Sequence, residues 1–112
     1  WGGIEMAISL SFKVDGKMQT FKKDDIYFAN NIRAVKHSIV QAEYYNSKKQ
    51  DVEKFEAMQE DFCQMMSDIF NNEFSSEQFK QGLTLKNHVK AEEIYILALG
   101  GTLDKEDTDK KK

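Results

Sequence analysis

Apolar and polar side chains alternate along residues 7–14, the pattern of a strand with one buried face. The apolar members share one side and are Ile8, Leu10, Phe12 and Val14. Asp15-Gly16 follows directly, and this pair accepts the positive φ angles of a type I′ turn. The pattern predicts a β-hairpin whose second strand covers residues 17–21. Because an isolated hairpin is marginally stable in water, its apolar face needs a cover, and helices are available.

Two longer segments have helical spacing. The first predicted helix is capped by Asp24 or Asp25 and ends near Tyr44. Its apolar positions recur at threes and fours and are Ile26, Ala29, Ile32, Val35, Ile39 and Ala42. The second helix covers residues 50–71, with an apolar stripe of Val52, Phe55, Met58, Phe62, Met65, Met66, Ile69 and Phe70. Stripes of this width normally face a core.

Two further helices are predicted in the C-terminal half. Ser75 and Gln78 have the spacing of a capping box, and they begin a short helix that Gly82 can end in a left-handed conformation. Thr84 caps a last helix over residues 85–99, and Gly100-Gly101 ends it.

The fold class predicted from these elements is α+β and mostly α, with an N-terminal β-hairpin packed on three to four helices. Residues 1–5 precede Met6 and are interpreted as vector or tag sequence. Residues 6–101 are expected to form a single domain. Residues 102–112 carry alternating charges and are expected to form a disordered tail.

Composition narrows the classes of partner. The chain has 112 residues, 40% of them hydrophobic, and no proline, which suits one packed helical domain. The net charge of -3 provides no general attraction to phosphate, so nucleic acid is not an expected partner. No apolar run approaches the roughly 20 residues that cross a bilayer, so no membrane partner is expected.

Catalytic chemistry has little basis in the sequence. The single cysteine, Cys63, has apolar neighbours, which predicts a buried and unreactive thiol. His37 and His88 are the only histidines, too few to indicate a metal site, and the spacing of His88 and Glu92 fits an ordinary surface pair. Nucleotide-binding and zinc-protease motifs are absent. We therefore predict no catalytic residue, no metal and no cofactor, and a protein that is not an enzyme.

Aromatic and methionine side chains are abundant for a domain of this size. Such side chains serve as adaptable anchors at protein interfaces, although methionines at helical spacing more often fill a core. The candidate protein-binding residues are Tyr44, Tyr45, Met58, Met65, Met66, Phe74 and Phe79.

A DNA-binding reading is the main alternative from the residues alone. The two helices that meet at Gly82 suggest a helix-turn-helix regulator, whose second helix would enter the major groove. Basic and acidic residues balance from Glu77 to Glu93, however, whereas DNA binding needs a surplus of phosphate contacts.

Three segments together resemble the tail assembly chaperones of long-tailed bacteriophages that infect Gram-positive bacteria. They are ISLSFKVDGKMQTF, FCQMMSDIFNNEFSSEQFKQGL and EIYILALGG, and the resemblance spans residues 8–101. Members of that family carry a DGK hairpin, a helix ending in a phrase like VFGNQFT…DLYDGL, and a final helix ending in glycine.

The resemblance implies a non-catalytic protein that binds the tape measure protein and recruits the major tail tube protein during tail assembly. It implies action in the host cell cytoplasm and absence from the mature virion. A second copy of the chain is a further candidate partner, and a virion tail structural protein is the remaining alternative function. Family members often exist in a second, frameshifted form, and Lys110, Lys111 and Lys112 fit an A-rich slippery codon run.

Overall fold

The computed structural model describes residues 8–49 and 51–101. Its elements in chain order are β1 (Ile8–Val14), β2 (Lys17–Lys23), α1 (Phe28–Asn46), α2 (Val52–Ile69), α3 (Ser76–Gly82) and α4 (His88–Ala98). The predicted fold class is confirmed: an N-terminal antiparallel hairpin precedes four helices. The predicted vector residues 1–5 and the predicted disordered tail at 102–112 lie outside the described residues.

The hairpin has the predicted turn. Asp15 and Gly16 both have positive φ, at 55° and 82°, and Val14 pairs with Lys17 across the turn. The second strand continues to Lys23, two residues further than predicted. The apolar face is buried at all four predicted positions of β1, so the alternation identified the inward side correctly.

An aromatic cluster joins the hairpin to the helices. The ring of Phe12 lies 4.9 Å from Phe74 and 5.6 Å from Phe79, both edge to face, which is a favourable arrangement of aromatic quadrupoles. Around these rings the buried core draws on β1, β2 and all four helices. The hairpin is therefore covered by the helices, as its marginal stability requires.

Helix α3 begins as predicted but ends differently. Ser75 Oγ accepts a hydrogen bond from the Gln78 amide at 3.0 Å, and Gln78 Oε1 accepts one from the Ser75 amide at 2.9 Å, so the capping box is confirmed. Gly82 is not left-handed, and that prediction was wrong. A Cβ at Gly82 would lie 2.0 Å from the Lys13 carbonyl oxygen. Glycine is needed there for the close approach of α3 to β1.

The C-terminal ends of α2 and α4 depend on left-handed residues. Asn71 and Asn72, with φ of 57° and 62°, end α2. Gly100, with φ of 98°, ends α4, and the Gly101 amide donates to the Ile96 carbonyl at 2.9 Å, so the predicted glycine stop is confirmed. Thr84 caps as predicted, although it first begins a 3₁₀ turn that leads into α4.

The start of α1 differs from the prediction. Neither Asp24 nor Asp25 is its cap, because the helix begins at Phe28 with Tyr27 in the N-cap position. The Asn30 side chain accepts a hydrogen bond from the Tyr27 amide at 2.8 Å. Asp24 instead accepts a hydrogen bond from the Tyr27 hydroxyl at 3.0 Å.

In the part of the chain that the structure describes, every helix is too short or too polar to span a membrane.

Candidate protein-binding surface

Helix α1 turns its apolar residues toward solvent. Phe28 is 77% exposed, Ile32 51% and Ile39 54%, and Val35 is also exposed. With Ala42, these residues follow spacings of four, three, four and three along one side of the helix. We call the set Phe28, Ile32, Val35, Ile39 and Ala42 the α1 stripe. The periodicity correctly predicted a helix, but the stripe faces away from the core, contrary to the usual orientation.

The inward face of α1 is polar or small. Its buried residues are Asn30, Ala34 and His37. His37 is almost fully buried, with its ring 5.5 Å from Phe62 and 5.4 Å from Tyr95. A buried polar group has to be hydrogen-bonded to avoid a desolvation penalty, so the orientation of α1 depends on partners in the other helices.

Helix α2 supplies those partners through two aspartates. Arg33 donates from Nη2 to Asp61 Oδ1 and from Nε to Asp68 Oδ2, each at 2.8 Å. His37 Nδ1 lies 2.9 Å from Asp61 Oδ2. We call Arg33, His37, Asp61 and Asp68 the polar clamp. Charge-assisted hydrogen bonds of this kind are about twice as strong as neutral ones, so the clamp sets the rotation of α1 about its axis.

The clamp shifts the pKa values of Asp61 and Arg33. Burial alone would raise the pKa of the Asp61 carboxyl, but its hydrogen bonds to Arg33 and His37 outweigh that effect and hold the pKa below its usual value. Burial likewise acts to lower the pKa of Arg33, and its bonds to Asp61 and Asp68 raise it above the ordinary value. Both groups are therefore charged near neutral pH.

Helix α4 holds the opposite flank of α1. The Asn31 side chain donates to the Ala98 carbonyl at 2.8 Å, and the Tyr95 hydroxyl donates to Gln41 Oε1 at 3.4 Å. The first contact places the end of α4 beside the first turn of α1, and the second holds α4 against the C-terminal half of α1. Leu99, which follows Ala98, is also exposed.

Five of the predicted binding residues lie in the core. These buried side chains, each at most 3% exposed, are Met58, Met65, Met66, Phe74 and Phe79. Their burial leaves almost no side-chain surface for a partner to contact, although Met58 lines the pocket beside Tyr44. They fill the core, as methionines at helical spacing usually do.

The two predicted tyrosines lie at the end of the α1–α2 pair where α1 ends and α2 begins. Tyr45 is 58% exposed and Tyr44 is half-buried, with their rings 5.0 Å apart. A pocket of about 300 Å³ lies beside Tyr44. It is lined mainly by Val40, Tyr44, Ala57 and Met58, with the charged Glu43 and Lys54. A binding role for Tyr44 and Tyr45 stays a prediction.

Cys63 and His88 are the two reactive side chains still to be placed. Cys63 is buried, and burial raises the pKa of its thiol to about 11, which confirms the predicted inert environment. His88 lies 3.5 Å from Glu92 in an exposed pair on α4. Within residues 8–49 and 51–101, no group of three or more His, Cys, Asp and Glu side chains could hold a metal ion.

The basic residue of α3, Lys80, is already paired with carboxylates. Lys80 on α3 forms ion pairs with Glu60 of α2 and with Glu77, one turn earlier on its own helix. A lysine held by two carboxylates is poorly placed to contact phosphate. The geometry therefore does not favour the helix-turn-helix alternative.

Sequence reasoning did not identify the α1 stripe or the polar clamp as features of a surface. A signal for the clamp exists, because Arg33 and His37 are one turn apart on α1 and Asp61 and Asp68 are two turns apart on α2. Oppositely charged side chains that each share one face of a helix indicate that the two helices face each other, but many other charged pairs in the chain have similar spacing.

Comparison with known proteins gives one family. Residues 6–112 match the family model described as phage tail chaperone protein. No curated protein and no solved structure matches the chain. The family match includes the hairpin, all four helices and the α1 stripe, and it agrees with the resemblance carried by the three sequence segments. The chain therefore belongs to the phage tail chaperone protein family.

Proposed function

We propose that the protein binds the tape measure protein and brings the major tail tube protein to it during tail assembly. The observation that carries the proposal is the α1 stripe, an ordered apolar surface in a chain that belongs to the tail chaperone family. A row of large apolar residues on the outside of a folded domain typically marks a protein interaction site.

The chemistry required is reversible burial of apolar surface. A long, largely helical tape measure protein exposes apolar side chains before the tube encloses it, and a bound chaperone removes them from water. Each contact must be weak enough for tube protein to displace it, which calls for a small patch in place of an extensive interface. The protein acts by association alone, in the host cell cytoplasm, and is left out of the mature virion.

A second apolar surface fits the need for two partners. Tyr45, Val52 and Phe55 are exposed near the pocket, at the end of the helix pair where α1 ends and α2 begins. An escort that holds the tape measure protein with one surface requires another for tube protein. The exposed aromatic residues at this end are suitable anchors.

Co-expression tests the proposal. The tape measure protein is expressed with and without the tagged chaperone, and soluble material is captured on the tag. We expect the tape measure protein to become soluble and to co-purify, and added tube protein to enter the same complex. Absence of both proteins from the captured fraction would contradict the proposal. The negative control is an unrelated small acidic helical protein that carries the same tag.

Purified phage particles provide a second measurement. A chaperone should be present in infected cells and absent from finished particles by mass spectrometry. Stoichiometric recovery of the chain from the particles would instead identify a virion structural protein. Sequencing the gene end also tests the predicted frameshifted form, which requires a slippery run at the lysine codons 110–112.

A further inference from the structure

We infer that the α1 stripe is the docking face for a single amphipathic α-helix of the tape measure protein, packed side by side with α1. The inference rests on the proposed function and adds to it the surface and the binding mode. It follows from the spacing of the stripe, its width and its area.

The spacing of the stripe matches a helical partner. Intervals of four, three, four and three residues give a repeat of 3.5, the seam period at which two helices pack knobs into holes. From Phe28 to Ala42 the stripe spans about 21 Å, or four turns of helix. Because the inward side of α1 is held by the polar clamp, the seam has a fixed direction and need not reorganise on binding.

The borders of the stripe limit the partner to one helix. On one side lie the exposed Lys36 and Glu43, which are two turns apart, and on the other lie Asn31 and Ser38, which are uncharged. An apolar seam bordered by polar residues is the width of one helix contact. The opposite charges of Lys36 and Glu43 favour a partner with an acidic residue near Lys36 and a basic residue near Glu43.

The area of the stripe argues against a stable dimer of this chain. Its exposed apolar side chains present on the order of 400 Å², about half of the roughly 800 Å² that each partner contributes to a stable interface. Two copies joined through α1 alone would therefore associate weakly. A helix-on-helix contact of this size suits a reversible complex that is repeated along a long partner.

The experiment uses two matched double variants. I32K/I39K places two charges on the stripe, whereas L85K/V89K adds the same charges at exposed apolar positions of the 3₁₀ turn and α4. Lysine is a slightly better helix former than isoleucine or valine, so both variants should fold with melting temperatures near that of the parent chain. Circular dichroism checks folding before binding is measured.

The probes are the full tape measure protein of the same phage and fluorescent peptides of about 28 residues, four heptads, that tile it. We expect one or more peptides to bind the parent chain and to gain helicity. We expect I32K/I39K to lower the affinity by about tenfold or more and L85K/V89K to change it by less than about twofold. In co-purification, only I32K/I39K should lose the full tape measure protein.

Three outcomes overturn the inference. If the parent and I32K/I39K capture the tape measure protein equally, the docking face is wrong while the proposed function stands. If the full protein co-purifies but no peptide binds with a gain of helicity, the helical binding mode is wrong. If light scattering shows a parent dimer that I32K/I39K dissociates, a second copy occupies the stripe. Failure of the parent chain to capture the tape measure protein would contradict the proposed function itself.

Discussion

Arg33 Nη2 lies 2.8 Å from Asp61 Oδ1 and 3.2 Å from the Asp61 main-chain oxygen. One aspartate thus holds α1 through both its side chain and its backbone. Arg33 is mostly buried, and its position sets which side of α1 faces inward. The same contact that attaches α1 to α2 therefore leaves the α1 stripe on the surface, where a partner can reach it.

Removal of the Asp61 carboxylate should destabilise the domain. In Asp61→Ala, Arg33 loses its hydrogen bonds to the carboxylate and the buried His37 loses its hydrogen-bond partner. We therefore expect a loss of about 3 kcal/mol in the free energy of unfolding. Asp68→Ala is the control, because Asp68 is more exposed and its loss should cost about 1 kcal/mol. Urea unfolding followed by circular dichroism measures both. Equal, small losses would show that the clamp does not hold α1.

Acid should remove the contribution of Asp61 in a defined window. Its folded pKa lies below the unfolded value of about 3.9, so the unfolded chain takes up the proton first as the pH falls. The stabilisation is fully present above about pH 4 and is lost as the pH falls through the folded pKa.

The gap in unfolding free energy between the parent and Asp61→Ala measures this loss. It should shrink only below about pH 4. Because Arg33 and His37 both face the carboxyl, the pair of proteins is also compared in a His37→Asn background, which removes the neighbouring imidazole. A gap that already closes between about pH 7 and 5 in that background would contradict the prediction.

Gly82→Ala should weaken the contact between α3 and the hairpin. The new methyl group would lie 2.0 Å from the Lys13 carbonyl oxygen and 2.9 Å from Phe12 Cδ1, so α3 has to move away from β1. We expect a loss of about 3 kcal/mol. At Gly100, a Cβ meets open space but the φ of 98° is unfavourable for alanine, so Gly100→Ala should cost about 1 kcal/mol. Thermal melts compare the two, and a larger loss at Gly100 would refute the steric explanation.

Cys63 should resist thiol reagents in the folded protein. With a thiol pKa of about 11, only about one molecule in a thousand carries the thiolate at pH 8, and burial further limits access. We expect very slow reaction with a disulfide dye under native conditions and complete reaction in concentrated urea. Rapid, stoichiometric labelling of the native protein would show an open core around α2.

Among the predicted binding residues, alanine substitution of a core residue should destabilise the protein more than alanine substitution of a surface residue. Met65→Ala removes a fully buried side chain and should cost about 3 kcal/mol. Tyr45→Ala removes a side chain that is more than half exposed and should cost less than about 1 kcal/mol. Urea unfolding of the two variants decides this, and a large loss for Tyr45→Ala would identify that residue as part of the core.

Local signals predicted the elements well because each depends on neighbouring residues. The alternation of β1, the Asp15-Gly16 turn and the Ser75–Gln78 capping box all appear as expected. The cap of α1 was wrong because Asn30 supplies the competing hydrogen bond to the Tyr27 amide. The predicted left-handed conformation of Gly82 was wrong. Glycine is needed at this position because a Cβ would clash with the carbonyl oxygen of Lys13, which is distant in the chain.

The sequence by itself determined the hairpin, the helical character of the rest of the domain and the family, since turn chemistry, periodicity and motif phrases are local properties of the chain. Tertiary structure alone decided which candidate residues are accessible. Periodicity shows that Ile32, Val35 and Ile39 share one side of α1 but not where that side points. The direction is set by contacts such as Arg33 with Asp61, 28 residues apart in the chain, whose charged hydrogen bonds outweigh the tendency of apolar residues to face inward.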